Sequence, residues 1–272
     1  MTATETAVFD SEAVTRDPVE QRVLDDSRFG RQIDYLFARS PFYRNKLGRA
    51  GFASAAAVGG LDALADLPFT EKGELRASQA ADGALGAHCA VDIDAVVRVF
   101  STSGTTGHPL YIPLTRNDLA QWARISQRAY TAAGIRASDL MVTTWSSGPF
   151  VAGSSMEALQ ALGVRMVPVG AGNHERVLAA LERLHPQALP ATPSYAVYIA
   201  ESARLRGLDP ASFGLRAIVV GGEPGGGEPA TRDFIETAFG ATCREIMGIG
   251  DIAVSLWAEP ADAPPEGMHF CG

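Results

Sequence analysis

The stretch "VFSTSGTTGHPLYI", Val99 to Ile112, decides how the rest of the chain is read. Ser101, Thr102, Ser103, Gly104, Thr105, Thr106 and Gly107 stand together, with apolar, strand-like sequence on both sides. A glycine-rich turn after a strand exposes backbone N–H groups that form an anion-binding concavity. Ser and Thr hydroxyls add donors on rotating bonds. Such a loop suits polyphosphate oxygens. A Walker A loop would read GxxxxGK[ST] and run into a helix. Here His108-Pro109 and a second strand follow Gly107, so this is not a Walker A loop. Gly and Thr are also ordinary turn residues. A polar hairpin loop is therefore the plain alternative, and the flanking sequence has to decide.

Outward from this loop the chain changes texture. Before about Ala90 it reads as a loose arm over residues 1–20 and then as helices. Leu24, Phe29, Ile33, Leu36 and Phe37 recur at helical spacing. Ser40-Pro41 interrupts and can open a new helix, since proline is tolerated in a first turn. "LDALADL" stops before Pro68, because the residue preceding proline is pushed out of the α region. After Ala90, short β-rich runs alternate with longer helical ones. "AVVRVFS", "LYIPL", "LMVTTW", "VRMVPV", "QALPAT", "LRAIVVGG", "CREIMG" and "DIAVSLWAE" read as strands, with helices such as Arg116 to Ala133 and Pro229 to Phe239 among them. The pattern predicts an α/β fold: a helical region over residues 1–90, then residues 91–272 as a mostly parallel sheet covered on both faces.

Composition excludes several classes. With 272 residues, 23 Lys+Arg and 31 Asp+Glu, the formal charge is −8. That is the opposite of a nucleic-acid footprint, and no basic run marks a membrane patch. No apolar run is long enough to span a bilayer. The polar start is not a signal peptide. Cys89, Cys243 and Cys271 form no framework pattern. A reducing, cytoplasmic setting is the simplest expectation. No GxSxG elbow is present for a serine hydrolase.

The full string "STSGTTGHP" resembles the phosphate-binding signature of the adenylate-forming ligase superfamily, an SGTTGxP loop that clasps ATP phosphates. "RSPFYRNKLGRAGF" (Arg39 to Phe52), "LDALADLPFTEKGELR" (Leu61 to Arg76), "LTRNDLAQWA", "GNHERVLAAL", "ATPSYAVYIAE" and "VVGGEP" are similar, in order, to the N-terminal part of phenylacetate–CoA ligases and their relatives. The resemblance implies ATP, Mg²⁺ and coenzyme A, a small aromatic carboxylic acid as substrate, and acyl-adenylate chemistry followed by thiol transfer. It implies phosphate binding by Ser103, Gly104, Thr105, Thr106 and Gly107. Gly221, Gly222, Glu223 and Pro224 match the turn along the adenine. "MGIGD", Met247 to Asp251, occupies the place of Tyr-Gly-x-Ser/Thr-Glu. Met247 and Gly248 would then border the adenine, Thr106 and Asp251 would be catalytic, and Asp251 would help hold Mg²⁺. Trp145, Phe150 and Tyr195 fall where the acyl pocket is expected. Trp145 and Phe150 read equally well as core aromatics.

Four positions depart from the pattern. His108 stands for the usual lysine and removes a fixed charge. Met247 replaces an aromatic, Gly250 a hydroxyl residue, and Asp251 is a shorter acid. The family pattern continues past "GMHFCG" through a ribose-binding aspartate, a hinge and a C-terminal lid with a catalytic lysine. The chain therefore reads as an N-terminal portion, expected to act as an acid–thiol ligase when completed by a separate C-terminal lid domain. Some relatives build a zinc site here, but His269 and Cys271 with Pro260 in a cysteine's place fall short of four ligands. Two other readings stay open: a non-catalytic nucleotide-binding module, and an NAD-linked oxidoreductase domain using Gly225 to Ala230 with Glu245 on the ribose. His174 and His185 read as surface residues of one helix.

Overall fold

The computed structural model describes residues 9–83, 85–102, 109–145, 148, 150–170, 172–262 and 267–272. Contacts divide the chain into two units, Ser11–Arg116 and Asn117–Gly272, the latter joined by Asp10.

The first unit begins with α1 (Ser11–Thr15), α2 (Pro18–Arg39) and α3 (Pro41–Arg49). The expected loose arm is thus helical from Ser11. Asp17 accounts for part of this. Its carboxylate accepts hydrogen bonds from Val19 N at 2.8 Å and Glu20 N at 3.4 Å, and Pro18 follows in the first turn. Ser40 ends α2 and caps α3, its Oγ accepting from Tyr43 N at 3.3 Å. The interruption read at Ser40-Pro41 is there. Then come α4 (Ala55–Val58), a 3₁₀ segment over Leu61–Asp66, and α5 (Lys72–Ala81). Glu74 closes the start of α5 by accepting from Glu71 N at 2.8 Å and also pairs with Lys46 of α3. The unit closes with an antiparallel pair, β1 (Val96–Ser101) and β2 (Tyr111–Thr115), which forms a sheet of its own.

The second unit holds a seven-stranded mixed sheet. Its elements are α6 (Arg116–Ala132), β3 (Leu140–Thr143), α7 (Ser154–Leu162), β4 (Arg165–Pro168), α8 (His174–Leu184) and β5 (Ala188–Ala191). They continue with α9 (Pro193–Leu205), β6 (Ala217–Val220), α10 (Pro229–Phe239), β7 (Thr242–Ile249), β8 (Ala253–Ala258) and β9 (His269–Phe270). The strand order is β4-β3-β5-β6-β7-β8-β9; the first five strands run parallel and β8 and β9 add antiparallel.

Alternation across the pleat assigns the two faces. Ile218 and Val220 of β6, with Leu189 and Ala191 of β5, join a core with Val177, Leu178 and Leu181 of α8, Ile199 of α9, and Ile235 and Phe239 of α10. Ala217 and Val219, with Ala188 and Met141, join a second core with Ala129 and Tyr130 of α6 and Leu159 of α7. All four β6 residues are buried. This is the helix-covered, mostly parallel sheet that the strand–helix alternation predicts. Within the connection "RGLDPASFG" the chain makes a 3₁₀ turn, Pro210–Phe213, whose Asp209 accepts from Ala211 N at 3.1 Å.

Candidate functional site

Ser103, Gly104, Thr105, Thr106 and Gly107, expected to bind phosphate, lie with His108 outside the described residues. Their frame is described. Ser101 pairs with Tyr111 across the hairpin. Thr102 N then donates to Leu110 O at 3.0 Å, and Leu110 N to Thr102 Oγ1 at 3.1 Å, so the two strands stay closed up to the loop. Gln79 of α5 holds β2 from outside. Its amide donates to Tyr111 O at 2.7 Å and accepts from Tyr111 N at 3.1 Å, acting like one residue of an extra strand. Nothing in the sequence around Gln79 signals this role, because the bond is made to backbone.

In the second unit, parallel register lines up the C-terminal ends of β5, β6 and β7: Ala191 pairs with Val220, and Val220 with Glu245. Thr192–Tyr195 leaves β5 and Gly221–Pro224 leaves β6, while β7 runs on past Glu245 through Ile246 to Ile249. The first two meet each other and the second meets Ile246. Thr192 caps α9, its Oγ1 accepting from Tyr195 N at 3.3 Å. Glu223 Oε1 accepts from Ser194 N at 2.9 Å, and these Ser194 bonds hold its carboxyl below the usual range. A side chain at Gly221 would place its Cβ 2.5 Å from Ile246 O, so only glycine lets β6 leave the sheet so close to β7. Gly222 takes φ +89°, the left-handed region that glycine tolerates.

Gly248 sits where the β7–β8 register shifts, between Met247 and Ile249. A Cβ there would lie 2.1 Å from Val254 O, which makes glycine a packing requirement of this bulge. Met247 is 44% exposed at this edge. Asp251, half-buried, stands in the turn between β7 and β8. Val151, directly after Phe150, approaches this turn, 3.3 Å from where a Cβ of Gly250 would be.

The three aromatics expected around an acyl pocket differ in setting. Trp145 follows β3 and packs edge-on against Tyr130, with ring centroids 6.2 Å apart. Phe150 is 50% exposed. Tyr195 stacks on Tyr198 at 6.0 Å, and its buried Oη has no hydrogen-bond partner among the described residues. An orphaned buried hydroxyl calls for an explanation, and a ligand is one.

The glycine run Gly225–Gly227 does not fit the dinucleotide reading. β6 ends at Val220, so the run does not turn straight from strand into helix. A Cβ at Gly226 would meet Val220 Cγ2 at 2.7 Å and Glu245 Cδ at 2.9 Å. Glu245 therefore lies under the loop instead of reaching out to a ribose. Burial, and then the neighbouring Glu259 charge, push its pKa up. Two residues here were absent from the site residues expected from sequence. Arg232 of α10 is buried and bonded to Gly226 O, and Glu259 is buried after β8. A cation at an inward helical position, three before Ile235 and seven before Phe239, is the signal that could have found Arg232.

Other expected residues stand apart. His174 opens α8, where it lies edge-on to Tyr198, whereas His185 is the exposed left-handed cap beyond that helix. Burial pushes the Cys243 thiol up to about 12. Cys271 Sγ contacts His269 O, and no cluster of three or more His, Cys, Asp or Glu able to hold a metal occurs among the described residues. A polar surface cleft of about 560 Å³ includes Arg216, Arg232 and Arg244 in its lining, but each is already paired, with Asp139, Glu259 and Glu236 respectively. Among the described residues no helix is long and apolar enough to cross a membrane.

Comparison with known proteins places this geometry. The model of the AMP-binding enzyme family matches residues 49–266. The phenylacetate-coenzyme A ligase of Thermus thermophilus is 34% identical over 232 residues, 85% of this chain and 50% of that protein. The phenylacetate-coenzyme A ligase of Escherichia coli is 30% identical over 244 residues, 87% of this chain and 54% of that protein. Among solved structures, a 2-hydroxyisobutyryl-CoA ligase in complex with 2-HIB-AMP and CoA aligns with a TM-score of 0.88 at 30% identity, covering 94% of this chain and 55% of that one. The chain spans about half the length of the curated relatives it matches. A parallel sheet with glycine-rich turns at its strand ends, matched over most of the chain by these relatives, identifies it as a member of the AMP-binding enzyme family.

Proposed function

We propose that this chain supplies the nucleotide- and acid-binding half of an ATP-dependent acid–CoA ligase acting on a small, aromatic carboxylic acid. The observation that carries this reading is the meeting of Thr192–Tyr195 and Gly221–Pro224 beside Ile246, directly before Met247–Asp251, at the C-terminal end of the parallel strands. Open α/β sheets bind ligands there, and the relatives are acid–CoA ligases. The substrate carboxylate would attack the α-phosphorus of ATP, forming a P–O bond as pyrophosphate leaves. The thiolate of coenzyme A would then attack the acyl carbon, forming the thioester and releasing AMP. The chain's part is positioning and charge stabilisation.

The donors suit these groups. Ser103 to Gly107 would cradle the phosphates, and Gly221 to Pro224 with Met247 and Gly248 would flank the base, where methionine's polarisable thioether can pack on a purine. Trp145, Phe150 and Tyr195 would border the acid. Asp251 provides an oxygen donor of the kind Mg²⁺ takes, and this metal is commonly held by one or two carboxylates plus substrate phosphates. When bound, Mg²⁺ would neutralise charge on the phosphate oxygens.

A second reading is favoured by Gly250, which has no hydroxyl to offer an α-phosphate: a module that binds nucleotide without turning it over. Calorimetry with ATP and acid-dependent pyrophosphate exchange separate the two. We expect ATP binding by this chain and, with a C-terminal lid domain supplied, exchange that rises with phenylacetate more than with 2-hydroxyisobutyrate. Binding without exchange for any acid in an aryl and alkyl panel, even with that domain supplied, selects the second reading. No ATP binding overturns both.

A further inference from the structure

Arg232, 7% exposed, and Glu259, 4% exposed, form a buried ion pair, with Arg232 Nη2 2.7 and 2.8 Å from the two carboxylate oxygens. The same guanidinium donates from Nε at 3.0 Å and Nη2 at 2.7 Å to Gly226 O. Glu259, directly after β8, in turn joins the end of that strand to the middle of β7. Its Oε2 accepts from Glu245 N at 2.7 Å, and its own N–H donates to Glu245 O at 2.9 Å. A continuous set of bonds therefore runs from the Gly226 carbonyl through Arg232 of α10 and Glu259 to β7 and β8. The other end of that loop, Gly221, is pressed against Ile246 O. Both ends of the Gly221–Gly227 loop are thus fixed to the same strand, β7, which leads on to Met247.

Ion pairs buried at this depth often add little net stability over an apolar pair of similar volume. What the arginine fork adds is direction, because two N–H groups converge on one carbonyl oxygen. We propose that Arg232 and Glu259 are positioning residues that set the height of the Gly221–Gly227 loop against Met247, and so the width of the slot for a purine base. This inference rests on the nucleotide-binding reading above.

The test compares AMP affinity by calorimetry with amide hydrogen exchange across residues 221–227. The double variant Arg232→Met/Glu259→Leu keeps the pair's volume without its charges. We expect it to fold, to exchange the loop amides faster, and to bind AMP at least about tenfold more weakly than the wild-type chain. Arg232→Lys retains the charge without the fork. It carries the same expectation for affinity and serves as the test should the double variant fail to fold. Wild-type affinity in a folded double variant, or in Arg232→Lys if the double variant does not fold, overturns the positioning role alone. A wild-type chain that binds no AMP overturns the nucleotide-binding reading and this inference with it.

Discussion

Glu245 shows how much one residue's role depends on what lies above it. In sequence it is an acid in a strand, legible only as a ribose ligand of a dinucleotide fold. In the structure its carboxylate lies beneath the Gly226–Gly227 backbone, where burial and the Glu259 charge raise its pKa. A carboxyl that holds its proton to higher pH when folded than when unfolded loses stabilising effect as pH rises from the unfolded toward the folded pKa. Glu245→Gln, neutral at every pH, is therefore expected to raise the thermal midpoint at pH 8. The advantage should vanish below about pH 4, where the wild-type carboxyl is also neutral. Thermal melts of both proteins across that range check it. A lower midpoint for the variant at pH 8 would show that the ionised form is the stabilising one.

At the scale of elements, the β7–β8 hairpin carries the "MGIGD" segment, and its bulge explains one glycine that a motif match accounts for differently. Matched to the family, Gly248 is a residue beside adenine. Within the fold it is also where Val254 O comes within 2.1 Å of a would-be Cβ. Gly248→Ala must open the bulge, and we expect a loss of about 1–3 kcal/mol in urea unfolding, as for other overpacked sites. An unchanged midpoint would mean that the hairpin yields without cost. Helix starts were more legible. Ser40-Pro41 announced its own boundary because the cap and the proline act locally. The first turn of α2, Pro18–Glu20, is less legible, because Asp17 and Pro18 sit in a polar stretch with little apolar periodicity to support them.

On the scale of the sheet and its two helical layers, β6 contributes side chains to both cores of the second unit. Ile218 faces the layer of α8, α9 and α10, while its neighbour Val219 faces that of α6 and α7. Ile218→Ala leaves a hole between layers that cannot collapse far. We expect a loss of about 2–5 kcal/mol by denaturant unfolding with the slope unchanged; a loss under about 1 kcal/mol would mean that the core closes over it. The sequence by itself determined the α/β class, the strand frame on either side of the Ser103–His108 stretch and the family. Those signals are local: hydrophobic period, turn residues and short motifs in order. Only the tertiary structure decided that Gly225–Gly227 closes over Glu245, that Arg232 reaches Gly226 and Glu259, and that Gln79 holds the edge of β2. Each of these joins residues through a backbone carbonyl or a buried carboxylate brought near by folding, and neither leaves a pattern along the chain.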